Sequence, residues 1–109
     1  MDRLMQQYLN QDVSVLHYDK ITETYQKIAY VSVNKNLTLI EKLEQAFTKT
    51  NNIDCAWWEN KEISALFAGK SCRSTSVGDI VMVDGKKYSC EDNGWKTLNG
   101  DIVKWYVFG

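Results

Sequence analysis

The chain has 109 residues, 44% hydrophobic and 25% charged, which excludes a disordered polypeptide and fits one globular domain with a single modest core. Thirteen basic residues stand against 14 acidic ones, for a net charge of -1, and only Arg3 and Arg73 are arginines. That balance argues against a domain that grips nucleic acid mainly through its phosphates. No apolar run approaches the ~20 residues that span a bilayer.

Met1 to Asn10 is interrupted by charges and amides and does not read as a signal peptide. Cys55, Cys72 and Cys90 are odd in number and 17 and 18 residues apart, a pattern of reduced thiols rather than of a disulfide framework. Together these features predict a protein of the cytoplasm with no membrane contact. Proline is absent, so turns must rely on glycine, asparagine and aspartate.

In chain order, Leu4, Met5, Tyr8 and Leu9 suit one face of a helical turn, with a strand from Tyr8 as the competing reading. Val13 to Tyr18 reads as a strand. After a polar turn at Asp19-Lys20, Tyr25 to Val33 alternates, with Tyr25, Ala29, Val31 and Val33 on one face and Lys27 as the exception. Antiparallel pairing of the two is expected.

Thr38 followed by Glu41 makes a capping-box pattern. The stripe Leu39, Leu43, Ala46 and Phe47 then predicts a helix ending near Thr50, with Glu41, Lys42, Glu44, Gln45 and Lys49 towards water. Ile53 to Phe67 is expected to hold a short helix or two helical turns, with Asp54 as a cap. Ile80–Val83 and Lys86–Cys90 flank Asp84-Gly85, a strong hairpin signal. Trp95 to Leu98 and Ile102 to Phe108 complete a C-terminal antiparallel sheet of three or four strands. The predicted class is α+β, a single domain over residues 1–109.

Arg73-Ser74-Thr75-Ser76-Val77-Gly78-Asp79-Ile80, with Tyr88 and Gly94-Trp95 downstream and the Leu43 to Trp57 segment upstream, resembles small accessory proteins of bacteriophages and mobile elements. The resemblance covers roughly the C-terminal two thirds and carries no common activity. It implies a gene product acting inside a bacterial host, of a kind often found to bind host machinery without catalysis.

The Ser74 to Asp79 loop has hydroxyls and a glycine that suit an anion or nucleotide, but the same residues satisfy a loop turning into the Ile80 strand. The spacing of a P-loop is absent. His17 with the three cysteines offers zinc ligands by type but lacks close ligand pairs, and nothing in the sequence brings any thiol to His17 for nucleophilic chemistry. No cofactor, metal or catalytic residue is therefore assigned, and the chain is read as non-enzymatic.

Aromatic residues reach 12%, and adjacent pairs such as Trp57-Trp58 cannot share one helical stripe. A small core recruits aromatics, and so does a protein-binding surface. The favoured reading is a protein that binds and modulates a host protein, such as a defence or nucleic-acid-processing factor, with inhibition as the expected form of modulation. Its binding residues would be Trp57, Trp58, Glu59, Arg73, Ser74, Thr75 and Ser76. One alternative is single-stranded DNA or RNA binding through Lys86, Lys87, Trp95, Lys96 and Lys104. Another is nucleotide or anion binding at the Ser74 to Asp79 loop. The apolar, proline-free final strand also allows a homodimer through its edge.

Overall fold

In the computed structural model, which describes residues 9–51 and 56–106, seven strands form one antiparallel sheet. They are β1 (Asn10–Asp19), β2 (Thr24–Asn34), β3 (Ile63–Ala65), β4 (Ile80–Val83), β5 (Lys86–Glu91), β6 (Gly94–Thr97) and β7 (Ile102–Trp105), in the spatial order β3-β2-β1-β4-β5-β6-β7. The expected N-terminal hairpin is present, but the C-terminal sheet of three or four strands is only the β4–β7 part of this larger sheet. They are not separate layers: β1 pairs with β4 through Ser14–Met82, Val15–Val81 and Leu16–Ile80, which joins them into one mostly-β domain. Leu4, Met5, Tyr8, Ile53, Asp54, Cys55 and Phe108 lie outside the described residues.

The Lys27 exception in β2 marks a bulge. Val15 pairs with Ala29 but Leu16 pairs with Lys27, so Ile28 is an extra residue on β2. Beyond it the faces exchange: Ala29, Val31 and Val33 point to the core, whereas Lys27 and Tyr25 point to the opposite face with Leu16 and Tyr18. Placing Tyr25 on the core face is thus corrected. Ile28 itself is buried in the core, and His17 on β1 stays on the core side.

Helix α1 (Leu39–Lys49) closes that side. Thr38 Oγ1 accepts from Glu41 N–H at 3.2 Å and Glu41 Oε1 accepts from Thr38 N–H at 3.0 Å, the reciprocal cap read from the sequence. Leu43 and Ala46 are fully buried, with Leu39, Ile40 and Phe47 partly so, against Val13, Val15, Val31, Val33, Val81 and Val83. Each large side chain buried there contributes about 1.5–3 kcal/mol.

Of the five polar helix residues expected in water, only Glu41 is exposed, with Glu44, Gln45 and Lys49 half-buried and Lys42 buried. Lys42 is only 9% exposed and its Nζ donates to Gln11 Oε1 at 2.8 Å. Glu44 is half-buried and accepts from Trp95 Nε1 at 2.9 Å and from the Tyr106 hydroxyl. Its carboxylate ties α1 to the end of the C-terminal meander.

In place of the helix expected between Ile53 and Phe67, the described residues of that segment form a 3₁₀ turn (Trp57–Glu59) followed by β3. Ile63 pairs with Val31 and Ala65 with Ala29, so an edge strand forms where the sequence suggested helical turns. Among the described residues, no helix is long and apolar enough to cross a membrane.

Candidate functional site

At the turn end of the β1–β2 hairpin, the loop from Leu66 to Asp79 folds back over the sheet. Asp79 is the hub. Its carboxylate accepts both arms of the Arg73 guanidinium, at 2.6 and 2.8 Å, together with Ser76 N–H at 2.8 Å and Tyr18 N–H at 3.0 Å. The Arg73 fork also donates to the carbonyls of Tyr18 and Ser74 and to Ser76 Oγ. Asp79 is buried, and burial alone would raise its pKa. The Arg73 fork, the two backbone N–H groups and nearby His17 outweigh that penalty and hold the carboxyl below its usual value.

Beside this pair runs a chain of side-chain hydrogen bonds whose direction is set by its far end. Thr50 Oγ1 lies 2.7 Å from the Ala46 carbonyl, which only accepts, so Thr50 donates there. Thr75 Oγ1, 2.7 Å from Thr50 Oγ1, must then donate to Thr50. His17 Nε2, 2.8 Å from Thr75 Oγ1, must in turn carry a proton and donate to it. The remaining nitrogen, Nδ1, presents a lone pair to Cys72 Sγ at 3.7 Å. Asp79 Oδ2, 3.8 Å from Nε2, favours the same tautomer.

Burial lowers the His17 pKa to about 4, with Asp79 opposing the shift and Arg73 adding to it. Burial likewise raises the Cys72 thiol. The structure thus brings together a cysteine and the histidine that the sequence left apart. At neutral pH the pair is thiol and neutral imidazole, not an activated thiolate. Cys90 is buried elsewhere with its pKa raised to about 12, and Cys55 lies outside the described residues. No three His, Cys, Asp or Glu side chains cluster as a metal site among the described residues.

The same geometry redefines the Ser74 to Asp79 loop. A backbone N–H and an arginine fork of the kind that hold a bound anion are turned inward onto Asp79. The protein's own carboxylate occupies the place an external anion would take. Gly78, with φ +95°, completes the turn, and its carbonyl accepts from the Tyr25 hydroxyl at 3.1 Å.

In front of this network lies an open cleft of about 1050 Å³ between the hairpin tip and the Leu66–Asp79 loop. Eight large hydrophobic side chains are exposed among the described residues, and five of them line this cleft: Tyr18, Ile21, Tyr25, Leu66 and Val77. Ile21 is 94% exposed at the tip of the hairpin turn. The Tyr18 and Tyr25 rings pack 5.2 Å apart. Phe67 forms part of the wall and packs edge-on against Trp57 and Trp58 at 5.4 and 5.5 Å.

Of the residues singled out from sequence for protein binding, Trp57 and Thr75 are each 2% exposed and serve the interior. Trp57 Nε1 donates to the Arg73 carbonyl at 3.1 Å, so the two predicted segments do meet, but inside the molecule. Arg73 and Ser76 line the cleft, Trp58 backs it through Phe67, Ser74 is half-buried and Glu59 is exposed. Of the nucleic-acid set, Trp95 is 2% exposed and faces the core, away from Lys96 on the next position of β6. Lys96 instead lies over Trp105, 5.3 Å from its ring centroid, and Lys104 over Tyr106. Lys86 and Lys87 are exposed on β5.

The residues missed by sequence reasoning are Tyr18, Ile21, Tyr25, Leu66, Phe67 and Val77. One signal was available: an isoleucine in the otherwise polar turn Asp19-Lys20-Ile21-Thr22-Glu23 has no core to enter. No family model, curated protein or solved structure matches this chain.

Proposed function

We propose that this protein is a non-enzymatic accessory protein of a bacteriophage or mobile element that binds a host protein in the bacterial cytoplasm and inhibits it. The observation that carries the reading is the gathering of Tyr18, Ile21, Tyr25, Leu66 and Val77 around one open cleft. Large apolar side chains scattered singly need no explanation, whereas a contiguous group rimmed by polar residues marks an interaction surface. The cleft is backed by hydrogen-bonded and aromatic packing, so its walls are preformed and binding orders little further chain.

The test is a pull-down from bacterial lysate read by mass spectrometry, with Leu66→Glu as the matched control. Leu66 is exposed, so the substitution changes the surface without emptying the core. Enrichment of a protein by the native chain and its loss with Leu66→Glu is the expected result. Equal recovery by both, or none above background, rejects the reading.

Within the same reading the protein self-associates through β7. Supporting this, β7 is an edge of the sheet, and a bulge opposite Trp95/Lys96 puts Ile102 and Trp105 on one face. Two copies paired antiparallel about a two-fold axis between Val103 and Lys104 bring each Ile102 opposite the partner copy's Trp105.

A further inference from the structure

We infer that the segment received by the cleft is a peptide stretch in which bulky apolar residues are flanked by aspartate or glutamate. This rests on the protein-binding reading above and names the chemistry of the partner. The argument is one of charge. The charged residues lining the cleft are Asp19, Lys20, Lys27, Arg73 and Asp79, a surplus of one positive charge in a chain whose total is -1.

Asp79 is neutralised internally, and Asp19 keeps its charge but is engaged by neutral donors. Asp79 is buried under the Arg73 fork, and Asp19 accepts from Ile21 N–H at 2.8 Å, Thr22 N–H at 3.4 Å and Gln26 Nε2 at 3.3 Å. Arg73 is spent on Asp79. Lys20 and Lys27 remain, both on exposed positions flanking Ile21 and Tyr25, with Lys27 Nζ resting 5.1 Å from the Tyr30 ring centroid. An acidic side chain placed beside an apolar anchor meets Lys20 or Lys27 there, whereas a basic one is offered only the half-buried Asp19, already holding three hydrogen bonds. A nucleic acid fits less well, because two lysines fall short of the phosphate neutralisation that drives its binding.

The experiment selects a random-peptide display library on the immobilised native protein. A parallel selection uses the Lys20→Glu/Lys27→Glu double variant, whose substitutions are both on the surface. Acidic residues next to Leu, Ile, Phe or Trp in the native selection, replaced by Lys or Arg in the parallel one, are the expected result. A synthetic copy of the native consensus should bind the double variant about tenfold more weakly. Apolar consensus peptides without acidic residues, or unchanged affinity for the double variant, overturn the inference while leaving a cleft-dependent lysate partner standing. Consensus peptides indifferent to Leu66→Glu overturn it as well, since they bind elsewhere. So does preferential capture of an oligo-dT strand over any peptide at low salt. Failure of the native protein to capture any Leu66-dependent lysate partner is the separate outcome that removes the underlying function.

Discussion

Protonating His17 means placing a charge in a buried site beside a guanidinium, and that cost can be read as a pH dependence. Its value of about 4 lies below the ordinary 6.5, so between those two values the unfolded chain binds more protons than the folded one. The stability contributed by His17 is complete above pH 6.5 and is lost as pH falls towards 4. Discounted for partial solvent screening, the loss is about 2 kcal/mol. Urea unfolding midpoints measured across this interval should fall with acidification in the native protein and change much less in His17→Gln, whose amide still donates to Thr75. Equal slopes in both would show that His17 does not titrate as buried. Asp79 acts at lower pH, because its own value lies below the usual carboxylate range. The hub makes a second prediction. Removing the guanidinium in Arg73→Ala leaves a buried carboxylate with backbone partners only and should cost about 2–4 kcal/mol in chemical denaturation. Arg73→Lys should recover only part, since an ammonium cannot reproduce the two-armed contact. A residue serving only as a surface contact would show neither effect.

Elements declared by contiguous residues follow the sequence closely. The capping box of Thr38 and Glu41 starts α1 where the pattern puts it, and Thr38→Ala should lower stability by about 1 kcal/mol in thermal unfolding. Asp84 and Gly85 both adopt positive φ, as their hairpin requires. What the sequence conceals depends on partners far along the chain. Ile63 to Ala65 is too short to show alternation and becomes a strand because the edge of β2 receives it. The faces of β2 exchange at a bulge that local patterning registers only as a misplaced lysine. The same limit hides the site: His17, Thr50 and Thr75 are joined across separations of 58 and 25 residues that no spacing rule anticipates. In the sequence Gly94 is only half of a Gly-Trp pair. A Cβ built there would sit 1.9 Å from the Lys104 carbonyl oxygen, within the backbone of β7. Gly94→Ala should therefore detach β7 and cost about 3 kcal/mol or more, seen as early hydrogen exchange of the Ile102–Trp105 amides.

At the scale of the whole molecule, the described residues place one helix over one face of a seven-strand sheet whose end strands, β3 and β7, do not pair with each other and so form two edges. The two edges differ. β3 has three residues and presents Ser64 and Ala65, whereas β7 presents Ile102 at 62% and Trp105 at 39% exposure on one face. Edge strands in monomeric proteins are blunted by proline, by bulges or by charge. β7 has no proline, its bulge gathers the apolar residues instead of dispersing them, and its one charge, Lys104, lies on the other face from Ile102 and Trp105. In the two-fold register, Ile102 is buried twice, and at about 1.5 kcal/mol per side chain its replacement by lysine should weaken association roughly a hundredfold. Sedimentation velocity over a concentration series should show a monomer–dimer equilibrium in the native protein and a monomer throughout in Ile102→Lys. The melting temperature of the dilute variant should match that of the dilute native protein, because Ile102 contributes nothing to the core of its own chain. A native protein that stays monomeric across the series, or a variant that dimerises as well, would assign the exposed Ile102 and Trp105 to some other contact. The cleft is formed by the opposite half of the sheet order, around β1 and β2, so Ile102→Lys should leave recovery of a lysate partner unchanged. That independence separates self-association from partner binding in a single variant.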